Sequence, residues 1–411
     1  MRLTTLLRRL IGVTQLYVLD VVFRLDGTLG VRVRPSWRVS RCGRCGRKAP
    51  RYDRRPVRRW QHLPFGRTCI DLLYEPWRVS CSRCGVRVEQ VPWASHGSRF
   101  TYDFEEFVAY YAQITDKSKI QRLLKISWVT VGSIVKRVVE RRQDPDRLSE
   151  LRRIGIDEFS YRKRHHYLTI VVDHDRRRVV WTGEGKASES LEPFFELLGK
   201  EGCEKIETVT IDLSAAFIKA VRENLPQAET VFDRFHVQRL ATDAVDKVRR
   251  DLVRKLKRSS EEEARAVKKK RFILLKNPSN LTRMQRRGLA EVQRHNRTLY
   301  RAYLLKETLA RTLDYRQPWR AERALEEWLA WASRSRLKPF VKAARTIRKH
   351  KAGILAYIKM RLTNGLVEGI NNKIRMIARR AFGFHYHHTL SAMIFLSCGG
   401  IKLDPPIPTL I

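Results

Sequence analysis

The sequence lacks any uncharged apolar run of the length that a membrane-spanning helix needs, about 18 residues. Its first residues, Met1 to Leu10, are too charged and form too short an apolar stretch for a secretory signal. Internal repeats and low-complexity segments are also absent. These absences argue against a membrane protein, a secreted protein and a repeat array, and we expect a cytoplasmic location.

Acidic residues are scarce in this chain. Among 411 residues, 43 Asp and Glu stand against 84 Lys and Arg, a formal charge of +41. Hydrophobic residues make up 43%, so the chain has enough of them to bury cores and is not a disordered basic tail. Such an excess of positive charge indicates a polyanionic partner, most often nucleic acid. Ribosomal association or an anionic membrane surface also fits the charge alone.

Cysteine is sparse too, with seven residues, an odd number that argues against a disulfide framework. Four of them form two Cys-x-x-Cys-Gly knuckles, Cys42 with Cys45 and Cys81 with Cys84. Four thiolates complete a tetrahedral zinc site, and such sites are typical of a reducing cytosol. A redox pair, the alternative, needs only one Cys-x-x-Cys. We therefore predict a structural zinc in an amino-terminal β-containing domain over residues 1–98.

Positive charge is concentrated around these knuckles. Residues 1–100 hold 21 Lys or Arg against 6 acids. A cluster of this kind beside zinc knuckles is typical of a surface that contacts phosphates. A solvated basic loop is the alternative. The candidate phosphate contacts are Arg54, Arg55, Arg58 and Arg59.

Residues 99–145 are predicted to form a helix-turn-helix domain. The pattern indicates helices over 103–112 and 118–124, followed by a third helix for which Ser127 is the N-cap. In the third helix, the apolar residues recur at helical spacing and predict a buried stripe: Val131, Ile134, Val135 and Val138. The other face offers side chains suited to the major groove: Trp128, Thr130, Ser133 and Arg137. Three-helix packing without DNA contact gives the same periodicity.

Residues 146–240 show the pattern of a mixed α/β sheet. Two apolar strands end in a carboxylate, Asp157 for the first and Asp212 for a later one, and a hairpin lies between them. Residues 241–355 change character: they are strongly cationic and helical throughout. Residues 356–411 are predicted to be the C-terminal helices of the same domain as the sheet.

A third carboxylate, Glu368, lies on one of these later helices. Three carboxylates brought together repel one another unless cations neutralise them, and oxygen ligands favour Mg²⁺ or Mn²⁺. Two such ions suit an in-line phosphoryl displacement. No Ser-His or Cys-His pair offers a different chemistry. Balancing of nearby arginines is the alternative role for Asp157, Asp212 and Glu368, and Asp233, which also ends a strand, is the alternative second carboxylate.

The chain resembles the ISL-three family of bacterial insertion-sequence transposases over nearly its whole length. The zinc knuckles contribute to the resemblance, and so do four phrases: Gly155-Ile156-Asp157-Glu158-Phe159-Ser160, Asp212-Leu213-Ser214-Ala215-Ala216-Phe217, Phe232-Asp233-Arg234-Phe235-His236-Val237 and Asn364-Gly365-x-x-Glu368-Gly369-x-Asn371-Asn372-Lys373. The resemblance implies a multidomain α+β protein with a ribonuclease-H-like catalytic core that an all-α insertion interrupts. It places a DDE triad on Asp157, Asp212 and Glu368, with Mg²⁺ or Mn²⁺ as cofactor.

The resemblance also implies a function. We expect a DNA transposase that binds the terminal inverted repeats of its insertion sequence, cuts strands and joins them to target DNA. Its partners would be double-stranded DNA at the nucleoid and one or more further copies of the chain. A regulator that uses only the zinc ribbon and the helix-turn-helix would leave the carboxylates without a role. A ribonuclease-H-like nuclease or resolvase would share the chemistry but would not rejoin ends.

Overall fold

A computed structural model describes residues 3–162, 166–360, 362, 365–381, 383–384 and 386–404. The chain divides into two compact units, Met1–Gln143 with His388–Ile411, and Asp144–His387. In the part of the chain that the structure describes, no helix is both long enough and apolar enough to cross a membrane.

The amino-terminal unit opens with a short helix, α1 (Leu3–Ile11), which the sequence analysis did not predict. Seven strands follow: β1 (Leu16–Phe23), β2 (Leu29–Pro35), β3 (Arg51–Arg54), β4 (Arg58–Phe65), β5 (Thr68–Tyr74), β6 (Trp77–Cys81) and β7 (Gly85–Val88). They form a four-stranded sheet of order β1-β2-β5-β4 and a three-stranded sheet of order β3-β6-β7. The second sheet carries one of the two cysteine knuckles on its β6–β7 hairpin.

The larger sheet of this unit has one buried face. In β2, Val31 and Val33 are buried while Arg32 and Arg34 are exposed, the alternation expected of a half-buried strand. Trp60 of β4 meets Trp93 edge to face, with ring centroids 5.6 Å apart. Aromatic pairs of this kind add stability beyond their buried area. They hold the segment that leads to the helices against the sheet.

Three helices complete most of this unit: α2 (Tyr102–Ile114), α3 (Lys117–Leu124) and α4 (Trp128–Arg142). Each begins after a residue whose side chain accepts a hydrogen bond from a backbone N–H of the first turn, namely Thr101, Asp116 and Ser127. The three predicted helices, the Ser127 cap and the buried stripe of the third helix are confirmed.

The link between the large sheet and α2 is not a free hinge. Gln61 of β4 donates its backbone N–H to the carbonyl of Arg99, and Thr101 donates to the carbonyl of Gln61, at 2.9 and 3.0 Å. Below this ladder, His62 Nδ1 and Thr101 Oγ1 share a buried hydrogen bond of 2.9 Å. Burial lowers the pKa of His62 to about 4, so its ring is neutral at physiological pH.

The helix α16 (His387–Cys398) groups almost entirely with this unit, because residues 388–411 cluster with residues 1–143. Gln113 of α2 donates a 2.6 Å hydrogen bond to the carbonyl of Leu396. The prediction that residues 356–411 all belong to the domain of the sheet is therefore wrong for residues 388–411. Nothing in the sequence signals a contact between residues that are so distant along the chain.

The second unit contains a five-stranded sheet and two helices that connect its strands. The elements are β8 (Arg153–Arg162), β9 (His166–Asp173), β10 (Arg178–Glu184), α5 (Glu192–Glu204), β11 (Thr208–Ile211), α6 (Ala215–Asn224) and β12 (Glu229–Phe232). The strand order is β10-β9-β8-β11-β12. The first three strands are antiparallel, and β11 and β12 run parallel to β8.

Helices make up the rest of this unit. They are α7 (Arg234–Leu256), α8 (Glu261–Lys269), α9 (Arg271–Leu275), α10 (Arg283–His295), α11 (Arg297–Asp314), α12 (Pro318–Arg334), α13 (Lys338–Lys349), α14 (Lys351–Met360) and α15 (Gly365–Arg380). One hydrophobic core joins the helices from α7 through α14 to the sheet. At Gly353 of α14, an added Cβ would lie 2.5 Å from the ring of Phe232, so only glycine allows this close approach.

Candidate functional site

The first carboxylate, Asp157, lies on the central strand β8 and is partly buried. Asp157 Oδ1 accepts a 2.8 Å hydrogen bond from the backbone N–H of Glu158, and Oδ2 accepts one of 2.7 Å from Asn371 Nδ2. Burial raises the pKa of Asp157 to about 6, although the Glu158 N–H opposes this. The structure thus orients the carboxylate but does not neutralise it.

The second carboxylate, Asp212, directly follows β11 at the same edge of the sheet. The parallel register pairs Thr210 with Gly155, so two residues further on Asp212 is level with Asp157. The charge of Asp212 raises the pKa of Asp157 further. Burial raises the pKa of Glu158, and the charge of Asp212 adds to that rise. The register thus brings the two carboxylates that were predicted at strand ends to the same edge of the sheet.

The third carboxylate, Glu368, is exposed in the first turn of α15. That helix packs tightly on β8: a Cβ added to Gly155 would lie 2.6 Å from the side chain of Val367. Asn371 follows Glu368 by three residues, about 4.5 Å along the helix axis, and makes the hydrogen bond to Asp157. On the face of α15 that packs inward, Ile370, Ile374 and Ile377 are buried. Asn364, which opens this motif, lies outside the described residues.

The structure does not draw the three carboxylates into one tight cluster. Within the described ranges, only the four cysteines place three or more ligand atoms all within 4.8 Å of one another. Asp157 and Asp212 are adjacent by register, whereas Glu368 lies one helical turn before Asn371, which bonds to Asp157. Mutual repulsion opposes a closer approach of three anions.

Two residues at this edge, Asn371 and His236, had no role predicted from the sequence. Asn371 is buried, and while its Nδ2 donates to Asp157, its Oδ1 has no hydrogen-bond partner among the described residues. His236, in the first turn of α7, bonds through Nδ1 to Asp233 Oδ2 at 3.1 Å. The hydrogen bond to Asp233 raises the pKa of His236, and the charges of Asp212 and Asp157 add to this, so the carboxylates favour the protonated form of the ring.

The alternative second carboxylate, Asp233, also lies at this edge. β12 is parallel to β11, with Phe232 opposite Ile211, so Asp233 is level with Asp212. Its side chain is occupied by His236. The motif Phe232-Asp233-Arg234-Phe235-His236 contained this pair, at a spacing of one helical turn, and that spacing was the signal for it.

The four predicted zinc ligands come together in the amino-terminal unit. The sulfur atoms of Cys42, Cys45, Cys81 and Cys84 all lie within 4.8 Å of one another, and Cys45 and Cys81 are 3.6 Å apart. Tetrahedral zinc with bonds of about 2.3 Å needs sulfur separations of roughly 3.8 Å. The cluster therefore fits a zinc ion.

Backbone geometry explains the glycine after each Cys-x-x-Cys. Gly46 and Gly85 have φ of +69° and +70°, which side chains rarely adopt. Backbone N–H groups of Arg83 and Cys84 lower the pKa of Cys81 to about 7, and this favours its thiolate. Burial, together with the neighbouring thiols, raises the pKa of Cys84 to about 11. A metal ion is the ordinary means of holding all four as thiolates.

The helix-turn-helix residues fall into two groups. Trp128 and Ser133 are exposed on α4, and Thr130 is half-buried. Thr130 Oγ1 lies 2.7 Å from Ser127 Oγ within the N-cap, and Ser133 donates to the carbonyl of Val129. Lys117 Nζ lies 4.5 Å from the ring centre of Trp128. These side chains line the beginning of the helix.

Arg137 differs from the prediction. Its guanidinium pairs with Glu105, at 2.7 Å, and Arg141 pairs with the same carboxylate at 3.1 Å. Glu105 is fully buried. Arg137 therefore holds α4 against α2 and is not directed at a base. The exposed positions on this part of α4 include Val129 and Lys136 instead.

The four candidate phosphate contacts are partly engaged. Arg54 pairs with Glu75 at 3.2 Å, and Arg59 pairs with buried Asp71 at 3.4 Å. Arg58 donates to the carbonyl of Ser98 at 3.3 Å and stacks on Trp60. Arg55 is exposed and has no carboxylate partner in the described part of the chain.

Comparison with known proteins places these sites in context. The model of the DDE enzymes of the ISL3 (ISL-three) family, described as a transposase, matches residues 154–394. The helix-turn-helix domain of transposase family ISL3 matches residues 89–139. The chain is similar to the transposase for insertion sequence element IS1557 of Mycobacterium tuberculosis, with 38% identity over 99% of this chain and 98% of that protein. It is also similar to the transposase for insertion sequence element IS1001 of Bordetella parapertussis, with 32% identity over 87% and 88%.

Proposed function

Since the chain belongs to the ISL3 family of insertion-sequence transposases, we propose that it binds the terminal inverted repeats of its own element and cuts and joins DNA strands with a DDE centre. The centre consists of Asp157, Asp212 and Glu368. The observation that carries the proposal is the parallel register of β8 and β11, which sets two carboxylates level at one sheet edge.

The proposed catalytic core is ribonuclease-H-like. Three antiparallel strands followed by two parallel ones, in the order β10-β9-β8-β11-β12, support this assignment. The helices of residues 241–355 are then an insertion between the sheet and α15. Because they share the hydrophobic core of the sheet, the insertion stabilises the catalytic core and is not a detachable module.

The carboxylates of Asp157, Asp212 and Glu368 would hold Mg²⁺ or Mn²⁺, because they offer only oxygen ligands. The raised pKa of Asp157 fits this role, since a bound cation offsets the cost of its negative charge. When bound, two such ions activate the attacking oxygen and stabilise the leaving oxygen.

The other residues at this edge orient and balance the carboxylates. The Glu158 N–H and Asn371 Nδ2 each hold one oxygen of Asp157, so the plane of that carboxylate is fixed. His236 is held by Asp233, and the nearby carboxylates raise its pKa, which favours a positive charge next to them. Fixed groups of this kind need no reorganisation when the DNA phosphate arrives.

Two displacements at phosphorus account for the proposed reaction. In cleavage, water attacks a phosphodiester and its bond to the 3′ oxygen breaks, which leaves a 3′-hydroxyl and a 5′-phosphate. In transfer, that 3′-hydroxyl attacks a phosphodiester of the target, and the target's own 3′ oxygen leaves. The proton lost by the attacking oxygen is matched by one gained at the leaving oxygen.

DNA recognition is proposed for the amino-terminal unit. Trp128, Thr130 and Ser133 at the start of α4 would meet base edges in the major groove. Arg54, Arg55, Arg58 and Arg59 would contact phosphates, and the zinc held by the four cysteines would fix the knuckles that carry this surface. Because an element has two ends, the active species would contain two or more copies of the chain.

A cleavage assay tests the proposal. Full-length protein is mixed with Mg²⁺ and a duplex taken from the DNA that flanks the reading frame, where short inverted repeats are expected. Wild type should bind, cut and join, while changing Asp157, Asp212 or Glu368 to Ala should abolish cutting and leave binding within a few fold. Binding without cutting would indicate a regulator, and cutting without joining would indicate a nuclease. Cutting by the Asp212→Ala variant would move the second carboxylate to Asp233.

A further inference from the structure

A basic groove lies in the amino-terminal unit between the outer strand β4 and the start of α4. Its volume is about 770 Å³. Four of the residues that line it are cationic and none is acidic: Arg58, Arg59, Arg99 and Lys125. Ser127 and Thr130 of the α4 N-cap complete the wall. We call it the α4-entry groove.

The cations of the α4-entry groove differ in how far the protein already uses them. Arg58 is bonded to Ser98, and Arg59 shares Asp71 with Arg24, which lies closer to that carboxylate at 3.2 Å. Arg99 and Lys125 are exposed and form no ion pair among the described residues. Exposed cations without a counter-ion, in a concave site, attract an anion from outside.

The groove is also built to keep its shape. Its two walls are joined by the backbone ladder between Gln61 and residues 99–101, so β4 and the helices cannot separate without breaking hydrogen bonds. Lys125 is held in the left-handed conformation, with φ of +52°, at the tight turn between α3 and α4. The first turn of α4 adds the positive end of its dipole.

We infer that the α4-entry groove seats the phosphodiester backbone of the DNA strand beside the base pairs that α4 contacts. This rests on the proposed DNA-binding function and specifies how the duplex is held. A helix is about 10–12 Å across and the major groove about 12 Å wide, so a helix that enters it has a phosphate backbone on each side. The backbone on the β4 side of α4 then meets Arg99 and Lys125. The sheet and the helix-turn-helix grip one strand together, and the groove fixes the register in which α4 sits.

The test compares two double variants that lose the same charge. Arg99→Gln with Lys125→Gln removes the two free cations of the groove. Arg32→Gln with Arg67→Gln removes two exposed arginines of the same unit that do not line it. Each full-length protein is titrated, over a series of KCl concentrations, with the duplex carrying the element's end and with a random duplex of equal length. Thermal unfolding of each variant confirms that it is folded.

Each phosphate contact contributes about 0.9 to the slope of log affinity against log salt. The groove variant should therefore lose roughly 1.8 from this slope on both duplexes, and the control pair should lose less than half of that. Equal slopes for the groove and control variants would overturn the inference. If wild type does not prefer the element's end, the proposed end recognition fails, while the slope on random DNA still tests the groove.

Neutral methylphosphonates placed one at a time along the end duplex locate the contact. Wild type should lose affinity at one or two adjacent positions flanking the base pairs protected by α4, and the groove variant should be insensitive at those same positions. If both proteins respond alike at every position, the groove does not hold the backbone.

Discussion

Two carboxylates, one in each unit, are at least partly buried, but only one of them has cationic side chains bonded to it in the part of the chain that the structure describes. Glu105 of α2 is fully buried. It forms salt bridges with Arg137 and Arg141 and accepts a hydrogen bond from the hydroxyl of Ser98. Asp157 of β8 is partly buried and has no cationic side chain bonded to it in the described residues; it receives only an amide and a backbone N–H.

The contrast separates an acid that serves the fold from one that serves a ligand. A buried charge is tolerated when its counter-ions are part of the chain, and it then ties helices together. An acid that lacks them has a raised pKa and is most stable when a cation comes from outside. The formal charge of the chain does not reveal this difference, because it counts arginines without regard to which carboxylates they contact.

The largest effect is expected at the cluster of four cysteines, which, like the carboxylates at the sheet edge, brings negative charge together in one place. Cys81→Ser should abolish zinc binding and unfold residues 40–95, because in small modules the energy of metal binding is the energy of folding. Metal analysis and proteolysis of the purified protein measure this, and Cys69→Ser, an exposed thiol outside the cluster, is the control. Wild type purified without chelator and containing no zinc would contradict the assignment.

The next effect breaks the paired carboxylate. Glu105→Gln should destabilise the amino-terminal unit by about 3–5 kcal/mol, since it leaves two arginines without their counter-charge. Denaturant unfolding measures it. Glu106→Gln is the matched control. Glu106 pairs with Arg141 and Arg142 but is more exposed than Glu105, so the loss of stability should stay below about 1 kcal/mol. Equal losses for the two variants would show that burial does not determine how much these ion pairs contribute to stability.

The unpaired carboxylate should respond with the opposite sign. Because the folded-state pKa of Asp157 lies above its unfolded value, its contribution favours folding at low pH and is lost as pH rises through about 6. Asp157→Asn, which mimics the neutral acid, should therefore stabilise the protein above pH 7 by up to about 2 kcal/mol without added Mg²⁺. The gain should vanish near pH 4.

Unfolding curves at pH 4 and pH 7.5 measure this difference. Asp175→Asn is the control. Asp175 is an exposed acid in the turn between β9 and β10 and pairs with Arg153, so its substitution should change the stability little at either pH. Mg²⁺ should raise the melting temperature of wild type but not that of Asp157→Asn. A destabilised Asp157→Asn at pH 7.5 would place Asp157 with Glu105 as a structural acid.

The smallest effect is expected for Arg137, and it distinguishes a structural role for this residue from recognition of DNA bases. Arg137→Ala should cost roughly 1.5 kcal/mol of stability, because Arg141 still neutralises Glu105. Affinity for the element's end and for random DNA should then fall by the same factor. Fluorescence anisotropy with both duplexes measures the two losses. A loss confined to the element's end would return Arg137 to base recognition.

Local patterns in the sequence were enough to predict much of this structure. Caps and apolar spacing predicted α2, α3 and α4, because a helix is specified within a few turns. The glycines after each Cys-x-x-Cys predicted the knuckles for the same reason. The strand ends at Asp157 and Asp212 were also visible, since apolar strands followed by an acid are a local signal.

Contacts between distant residues could not be predicted in this way. Arg137 was expected to be exposed because its partner, Glu105, is 32 residues away on another helix. The bond from Asn371 to Asp157 spans 214 residues, and no periodicity reports it. Both cases involve polar groups whose role depends on what the fold brings to them.

The position of α16 has a consequence for how the protein is made. Gln113 and its partner Leu396 are separated by 283 residues, so the amino-terminal unit receives α16 only after the whole second unit has been synthesised. At roughly 5–20 residues per second, that interval lasts from about 15 seconds to one minute. During this time the amino-terminal unit lacks α16, and Gln113 of α2 lacks the carbonyl of Leu396 as its partner.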